Sequence, residues 1–325
     1  MSGRLSYVLP LRSRPGDGVT EELTEYLSWL SERVDLVIVD GSQPSSFQTH
    51  HDRWARLGAH VPPDADIRCA NGKVRGVLTG LPLAAHDLVV IADDDVRYDD
   101  EALERMAQLL AQADLVRPQN YFDPLPWHAR WDTARILLNR AVGSDFPGTL
   151  GVRRSFLRSV GGYDGDVLFE NLELIRTVKA GGGRIVEAPA LFVRRRPPTL
   201  VRFLEQRPRQ AYDDWAQPLR LTIFLATGPV IVAMARHRPR GLVLAAGSAT
   251  LTAALGRSRN GGREVFDRLS PFFAPLWIIE RAALSWLALF RRLVGRGIPY
   301  AGAFIRRAAN PPRVLRRRLR SPLSG

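Results

Sequence analysis

The first 215 residues of this chain predict an α/β fold, a mostly parallel sheet with helices on both faces, and the residues after them predict a helical region. Three observations carry this. Short continuous apolar runs alternate with segments of helical periodicity, as expected for strands buried on both faces. Two of those runs, VDLVIVD and DLVVIADDD, stop abruptly in aspartate. Beyond Pro218 the alternation gives way to long uncharged stretches.

Taken in order, Leu5 to Leu11 reads as a buried strand and Val19 to Leu30 as a helix, with Leu23, Tyr26, Leu27 and Leu30 on one face. VDLVIVDGS is a second strand, ending at Asp40 and a glycine turn. The segment Asn71–Leu81 leads into the strand that ends at Asp93, Asp94 and Asp95. Glu101 to Ala113 has Leu103, Met106, Leu109 and Leu110 at core spacing, and Asp114–Arg117 begins another strand. Residues Pro118 to Phe146, rich in Pro, Trp and Tyr, read as an irregular loop with a helix around Trp131–Val142. A short strand, the helix-like RRSFLRSVGG, an acidic helix from Phe169 to Ala180 and the strand RIVEAPALFV follow. Gly181, Gly182 and Gly183 end a helix instead of opening one, which favours termination over a phosphate loop.

Leu221–Ala235 and Gly241–Gly256 are shorter than the ~20 residues of a spanning helix and suit a hairpin or re-entrant pair. Phe272–Phe290, interrupted by Glu280 and Arg281 and carrying Trp277 and Trp286, suits a helix lying in a membrane interface. The alternative is that all three are buried helices of a soluble domain.

Net charge is +13, and it is unevenly placed: residues 237–325 hold 17 Arg against Glu264, Asp267 and Glu280, so the first 236 residues are close to neutral. A basic tail beside apolar stretches points to an anionic membrane surface ahead of nucleic acid, and few aromatics interleave the arginines from Arg313 to Arg320. Cys69 is the only cysteine, which excludes intrachain disulfides and thiolate metal clusters. The N-terminal segment runs directly into a strand without the pattern of a secretory signal, so the catalytic part is expected on the cytoplasmic side of the cytoplasmic membrane. His50 and His51 are adjacent, lack the spacing of a zinc helix and read as loop residues. Neither a Walker loop nor a G-x-G-x-x-G fingerprint is present.

Three carboxylates at the end of an apolar strand are costly unless a cation or hydrogen-bond donors offset them. Hard cations such as Mg2+ or Mn2+ prefer oxygen ligands and leave positions open for phosphate oxygens, so Asp93–Asp95 suit a diphosphate site. A solvated acidic loop is the plain alternative.

The motifs YVLPLR, VDGS, NGKVRGVLTGL, ADDDV, GGYDGD, FENLEL and EQRPRQ, in this order from Leu5 to about Trp215, resemble those of the family 2 glycosyltransferases. That resemblance implies the GT-A fold, a Rossmann-like arrangement, and transfer of a sugar from a nucleotide-sugar donor such as a UDP- or GDP-sugar. It implies that Pro10, Arg12 and Asp40 lie near the nucleotide base, Arg75 near the diphosphate, Asp94 near the ribose and Asp95 on the metal, with Asp93 supporting. Capping of the Gly41 turn is the alternative for Asp40, and solvation the alternative for Arg75.

Family members place their general base in a Glu-Asp pair; here Glu170 is followed by Asn171, which takes no proton at neutral pH. Glu170 is the expected substitute, with Glu173 second, and the alternative is that both merely complement a helix dipole. Gln206, Arg207 and Arg209 match the start of the family's Gln-x-x-Arg-Trp motif, but Gln210 replaces the tryptophan that holds a growing chain. A single inverting transfer is therefore expected, to a lipid-linked or other envelope glycan acceptor, with the arginines offsetting the leaving diphosphate.

The expected organisation is a catalytic domain over 1–215, with a nucleotide-sugar half (1–100) and an acceptor half (101–215). A membrane-associated helical region (216–298) and an Arg-rich tail (299–325) follow. The alternatives are a catalytically silent relative that binds a nucleotide sugar or a partner, and a nucleic-acid binder acting through the tail.

Overall fold

The computed structural model describes residues 5–13, 21–295, 297–300 and 303–320. The first half of the catalytic region comprises β1 (Leu5–Leu11), α1 (Glu21–Ser31), β2 (Asp35–Asp40), α2 (Pro44–Trp54), β3 (Ala59–Val61), α3 (Gly72–Leu83), β4 (Leu88–Ala92), β5 (Val96–Arg97) and α4 (Asp100–Leu110). The second half comprises β6 (Leu115–Phe122), α5 (Trp127–Val142), β7 (Thr149–Arg153), α6 (Arg154–Ser159), α7 (Glu170–Ala180), β8 (Ile185–Arg195) and α8 (Leu200–Tyr212), closed by a 3-10 turn over Asp213–Ala216. Beyond it lie α9 (Pro218–His237), α10 (Pro239–Ser258), α11 (Gly262–Val265), α12 (Ala274–Leu293), the small hairpin β9 (Ile298–Tyr300) and β10 (Ala303–Ile305), and α13 (Pro312–Arg320). Val19, the expected start of the first helix, lies outside the described residues.

Eight strands form one mixed sheet in the order β3-β2-β1-β4-β7-β6-β8-β5. The half from β3 to β4 is parallel; β7 runs antiparallel to both β4 and β6, and β5 antiparallel to β8. Strand alternation divides the core. Tyr7, Leu9 and Ile38 pack with α1 and α4 on one face, while Val8, Val37 and Val39 pack with α3, α6 and α7 on the other. The glycines of GVLTG let α3 lie directly on β1: a Cβ at Gly80 would stand 2.6 Å from Val8 Cγ1, and one at Gly76 2.8 Å from Pro10 Cβ.

Two segments correct the expectation of an irregular stretch from Pro118 to Phe146. β6 continues to Phe122, and α5 begins at Trp127. The break expected at Pro118 is a register jump, from Arg117 opposite Glu187 to Gln119 opposite Phe192. A bulge tolerates the missing N–H of proline.

The helices α9 and α10 are each 20 residues long, exceeding the apolar runs because flanking arginines and prolines join them. α10 returns along α5 so closely that a Cβ at Gly256 would stand 1.9 Å from the Leu137 carbonyl oxygen. Among the described residues two segments, Pro218–His237 and Ser270–Leu293, are long and apolar enough to cross a membrane; 11% of the first and 33% of the second is buried.

The charged pair that interrupts the last apolar stretch turns toward the catalytic region. Glu280 binds Arg207, and Arg281 binds the Gln210 carbonyl and Asp214, which fastens α12 to α8 and the turn after it. The tail returns to the catalytic region as well. Phe169 N donates to Ala308 O at 2.8 Å, and Arg307 and Arg318 pair with Asp164 at 3.4 and 2.9 Å.

Candidate active site

The carboxyl end of β4 delivers the aspartates to a cleft of about 790 Å³ that is also lined by Arg12, Lys73, Glu170 and Arg209. Asp93 N donates to Gly148 O at 2.9 Å, tying the cluster to the start of β7. A side chain there would press on the cluster, because a Cβ would stand 2.7 Å from Asp93 Oδ2 and 3.1 Å from Arg195 Cζ. After Asp95 the chain pairs with β8, Val96 opposite Arg195, and that register sets Arg195 beside the acids. Its Nε lies 2.9 Å from both Asp95 oxygens and its Nη2 3.3 Å from Asp93 Oδ2, so one guanidinium stands between two carboxylates.

On the other flank, Asn71 caps α3 by accepting from Lys73 N and Val74 N at 3.1 and 3.4 Å. The cap directs Lys73 Nζ to Asp93 Oδ1 at 2.6 Å and Glu170 Oε1 at 3.0 Å. Glu170 Oε2 lies 3.7 Å from Arg209 Nη2. A chain of alternating charge thus crosses the cleft floor: Arg195, Asp93, Lys73, Glu170, Arg209. Burial works against the Asp93 charge, but Lys73 and Arg195 outweigh it and hold that carboxyl below the usual range. The neighbouring Asp95 and Asp93 charges raise the Asp94 carboxyl, which is exposed at the cleft. Burial raises Asp95, against the pull of Arg195. Lys73 is held protonated by Asp93 and Glu170 in spite of its burial.

The sequence matches the family described as glycosyltransferase like family 2 over residues 31–213, more than half of the chain. The chain belongs to glycosyltransferase family 2. No curated protein matches the sequence. Among solved structures, a mannosyltransferase from Pyrobaculum calidifontis, in complex with GDP-mannose and Mn2+, is 17% identical with a TM-score of 0.53, covering 90% of this chain and 88% of that one. A glucosyl-3-phosphoglycerate synthase from Mycobacterium tuberculosis is 20% identical with a TM-score of 0.42, over 64% and 77% of the two chains. The first likeness identifies the mixed sheet as the GT-A fold.

The glycosyltransferase places several expected residues away from the cleft. Asp40 is 1% exposed, and its carboxylate faces His50 Nδ1 and His60 Nε2, the latter at 3.4 Å, with Ser42 N donating at 2.9 Å. It holds the histidines instead of opening toward a base, and His50, with Leu11, Arg12 and Trp54, lines that end of the cleft. His50 and His51 therefore sit on helix α2, not in a loop. Pro10 packs beneath Gly76. Arg75 turns outward to the carbonyls of Asp64 and Pro63, at 2.8 and 3.5 Å, and Lys73, two positions earlier, is the α3 cation that meets the cleft acids. Glu173 is fully buried, accepting from Asn310 N and Nδ2 at 2.7 Å each, and braces the tail. Arg207, 4% exposed, binds Glu280 and Asp132 behind the cleft wall, whereas Gln206 and Arg209 line the cleft. Asn171 donates to Pro147 O at 2.9 Å, and its Oδ1 lies 3.5 Å from Lys73 Nζ.

Three cleft residues carried no separate signal: Lys73 inside NGK, Arg195 in an arginine run after a strand, and Asp213 after the arginine motif. Asp213 ends α8, and its Oδ1 is buried with no hydrogen-bond partner among the described residues. Burial, with the Glu170 and Asp214 charges adding to it and Arg209 opposing, pushes its carboxyl up to about 7.

Proposed function

We propose that this glycosyltransferase moves one sugar, with inversion, from a nucleotide-sugar donor to a hydroxyl of a lipid-linked or other envelope acceptor at a membrane surface. The observation that carries this reading is the meeting of Lys73, Arg195 and Arg209 with Asp93 and Asp95 in one cleft at the end of β4. The GDP-mannose and Mn2+ of the Pyrobaculum calidifontis neighbour support a nucleotide-sugar donor and a divalent ion.

The donor set fits Mg2+ or Mn2+. Asp93 and Asp95 present hard oxygens to a single cation already, the Arg195 guanidinium. Among the described residues no three His, Cys, Asp or Glu side chains converge on one point, so the protein would contribute one or two carboxylates and leave other positions to phosphate and water. When bound, the ion supplies positive charge against the diphosphate.

In this reading Lys73 and Arg209 hold the diphosphate and offset the charge that grows on it as it leaves. Glu170 keeps both cations in place, Arg12 and His50 meet the nucleoside, and Asp94 meets the ribose. The acceptor oxygen bonds to the anomeric carbon as the bond to the phosphate oxygen breaks, and the departing electron pair stays with the nucleoside diphosphate. A carboxylate on the acceptor side takes the hydroxyl proton.

The exposed apolar side chains of α9, α10 and α12 support a membrane-surface location. Nucleoside diphosphate release, measured over a panel of nucleotide sugars with Mn2+ or Mg2+ and a membrane extract as acceptor source, tests the reaction. Release with one donor, dependent on metal and reduced at least ~100-fold in Asp95→Ala, is expected. Unchanged metal-dependent turnover in that variant would remove Asp95 from the metal. Donor binding without release by the wild type would instead favour a silent binding protein.

A further inference from the structure

A second, smaller chamber of about 140 Å³ adjoins the cleft, and the two share Asp95, Arg195, Pro198, Gln206, Gln210 and Asp213 as lining. Its walls include the edge-to-face pair Phe146 and Phe169, ring centroids 4.8 Å apart, so apolar rings bound it as well as polar groups. A chamber opening onto the donor cleft beside the acidic cluster is where an acceptor hydroxyl would approach an anomeric carbon.

Inversion needs an oxygen there that is free to accept a proton. Asn171 has none to offer at neutral pH. Glu170 is engaged by Lys73 at one oxygen and Arg209 at the other. Asp132 is held by Arg135 and Arg207, and Asp214 by Arg220 and Arg281. Asp213 stands apart, because it lines both cavities and its buried Oδ1 has no hydrogen-bond partner among the described residues.

We infer that Asp213 is the catalytic base and that the small chamber admits the acceptor hydroxyl. This rests on the transferase reading above. The Asp213 carboxylate accepts the hydroxyl proton as the oxygen bonds to the anomeric carbon and the nucleoside diphosphate leaves with the electron pair of the broken bond, so the base ends the turnover protonated and returns its proton to solvent. The charged groups around it are Arg209 on α8, Glu170 on α7, Asp214 in its own turn and Arg281 on α12. Together with burial they leave the Asp213 carboxyl at about 7, where a base working near neutral pH gains most.

The test compares full-length wild type, Asp213→Asn and Glu170→Gln in metal-dependent nucleoside diphosphate release, with donor affinity measured separately by calorimetry. Asp213→Asn is expected to lower kcat by ~100- to 10,000-fold at unchanged donor affinity, the range for loss of a positioned base. Wild-type kcat/KM should fall as pH drops below about 7, where Asp213 becomes protonated, and the residual rate of Asp213→Asn should lack that fall. Glu170→Gln is expected to weaken donor binding and keep the fall. Asp213→Asn removes no hydrogen bond made by Oδ1 and relieves a carboxylate that burial disfavours, so its thermal midpoint at neutral pH should not fall below the wild type. A rate within threefold of wild type in Asp213→Asn, or a pH fall that disappears in Glu170→Gln instead, overturns the base while leaving the transferase reading intact. A wild type that turns over no donor overturns both.

Discussion

Asp40 is a carboxylate whose charge is used inside the protein. Burial pushes its carboxyl up, but His60 beside it and the hydrogen bonds of Ser42 and His50 outweigh burial and hold it at about 2, against an ordinary 3.8. The folded state therefore favours the ionised form, and this adds stability above pH ~4 that is lost as pH falls through about 2. The two-unit shift corresponds to roughly 2 kcal/mol. The difference in unfolding free energy between wild type and Asp40→Asn, measured by urea titration, should thus shrink by about that much between pH 5 and pH 2. A difference that stays constant across the range would mean that the histidines do not hold the charge. The aspartate at the end of β2 was legible in the sequence, but its partners were not, because they arrive from α2 and β3, 10 and 20 residues further on. That Lys73 and not Arg75 reaches the cleft acids has a similar cause. The two are separated by two positions on one helix, which point to different sides, and the side that faces the cleft is decided by where α3 docks on β1.

At the level of elements, the strands ending in aspartate and the helices between them follow from apolar periodicity, which is local. What periodicity misreads is what tertiary pairing decides. Pro118 looked like a strand terminator and is instead absorbed by a bulge against β8, because β6 is paired on both sides of it. In the same way the Glu280–Arg281 pair looked like a polar edge of an interfacial helix, yet both side chains turn inward to Arg207, Gln210 and Asp214. Arg207 then belongs to the attachment of α12 more than to the cleft. Truncating Glu280 strands a buried arginine with Asp132 as its remaining carboxylate partner among the described residues. Glu280→Ala should accordingly destabilise the protein by about 3 kcal/mol, the low end for a broken buried pair. Thermal unfolding of detergent-solubilised protein checks this; an unchanged midpoint would show that the apolar contacts of α12 suffice.

For the whole molecule, the question is what the helices beyond Pro218 rest on. Val243 and Leu244 of α10 are 73% and 75% exposed, and Ile223 and Val230 of α9 are each more than half exposed. Leaving such a surface in water is unfavourable, and large apolar faces of this kind mark contact with a membrane or a partner. The connection between the two helices carries Arg236, Arg238 and Arg240, all exposed, so the apolar faces and the cations belong to one hairpin. Apolar burial and attraction to anionic headgroups then act together. At ~1 kcal/mol for each arginine near an anionic surface, the three would favour anionic over neutral vesicles by roughly 100-fold at moderate salt. Flotation should show that preference and its loss as salt rises. Replacing Val243 and Leu244 together by glutamate touches no cleft residue and no buried contact, so stability and nucleoside diphosphate release with a soluble acceptor should hold. Binding to vesicles, and with it transfer to an acceptor embedded in them, should fall. If the double variant still floats with anionic vesicles as the wild type does, the hairpin is not what meets the membrane, and the exposed face of α12, with Leu276, Trp286 and Phe290, takes its place.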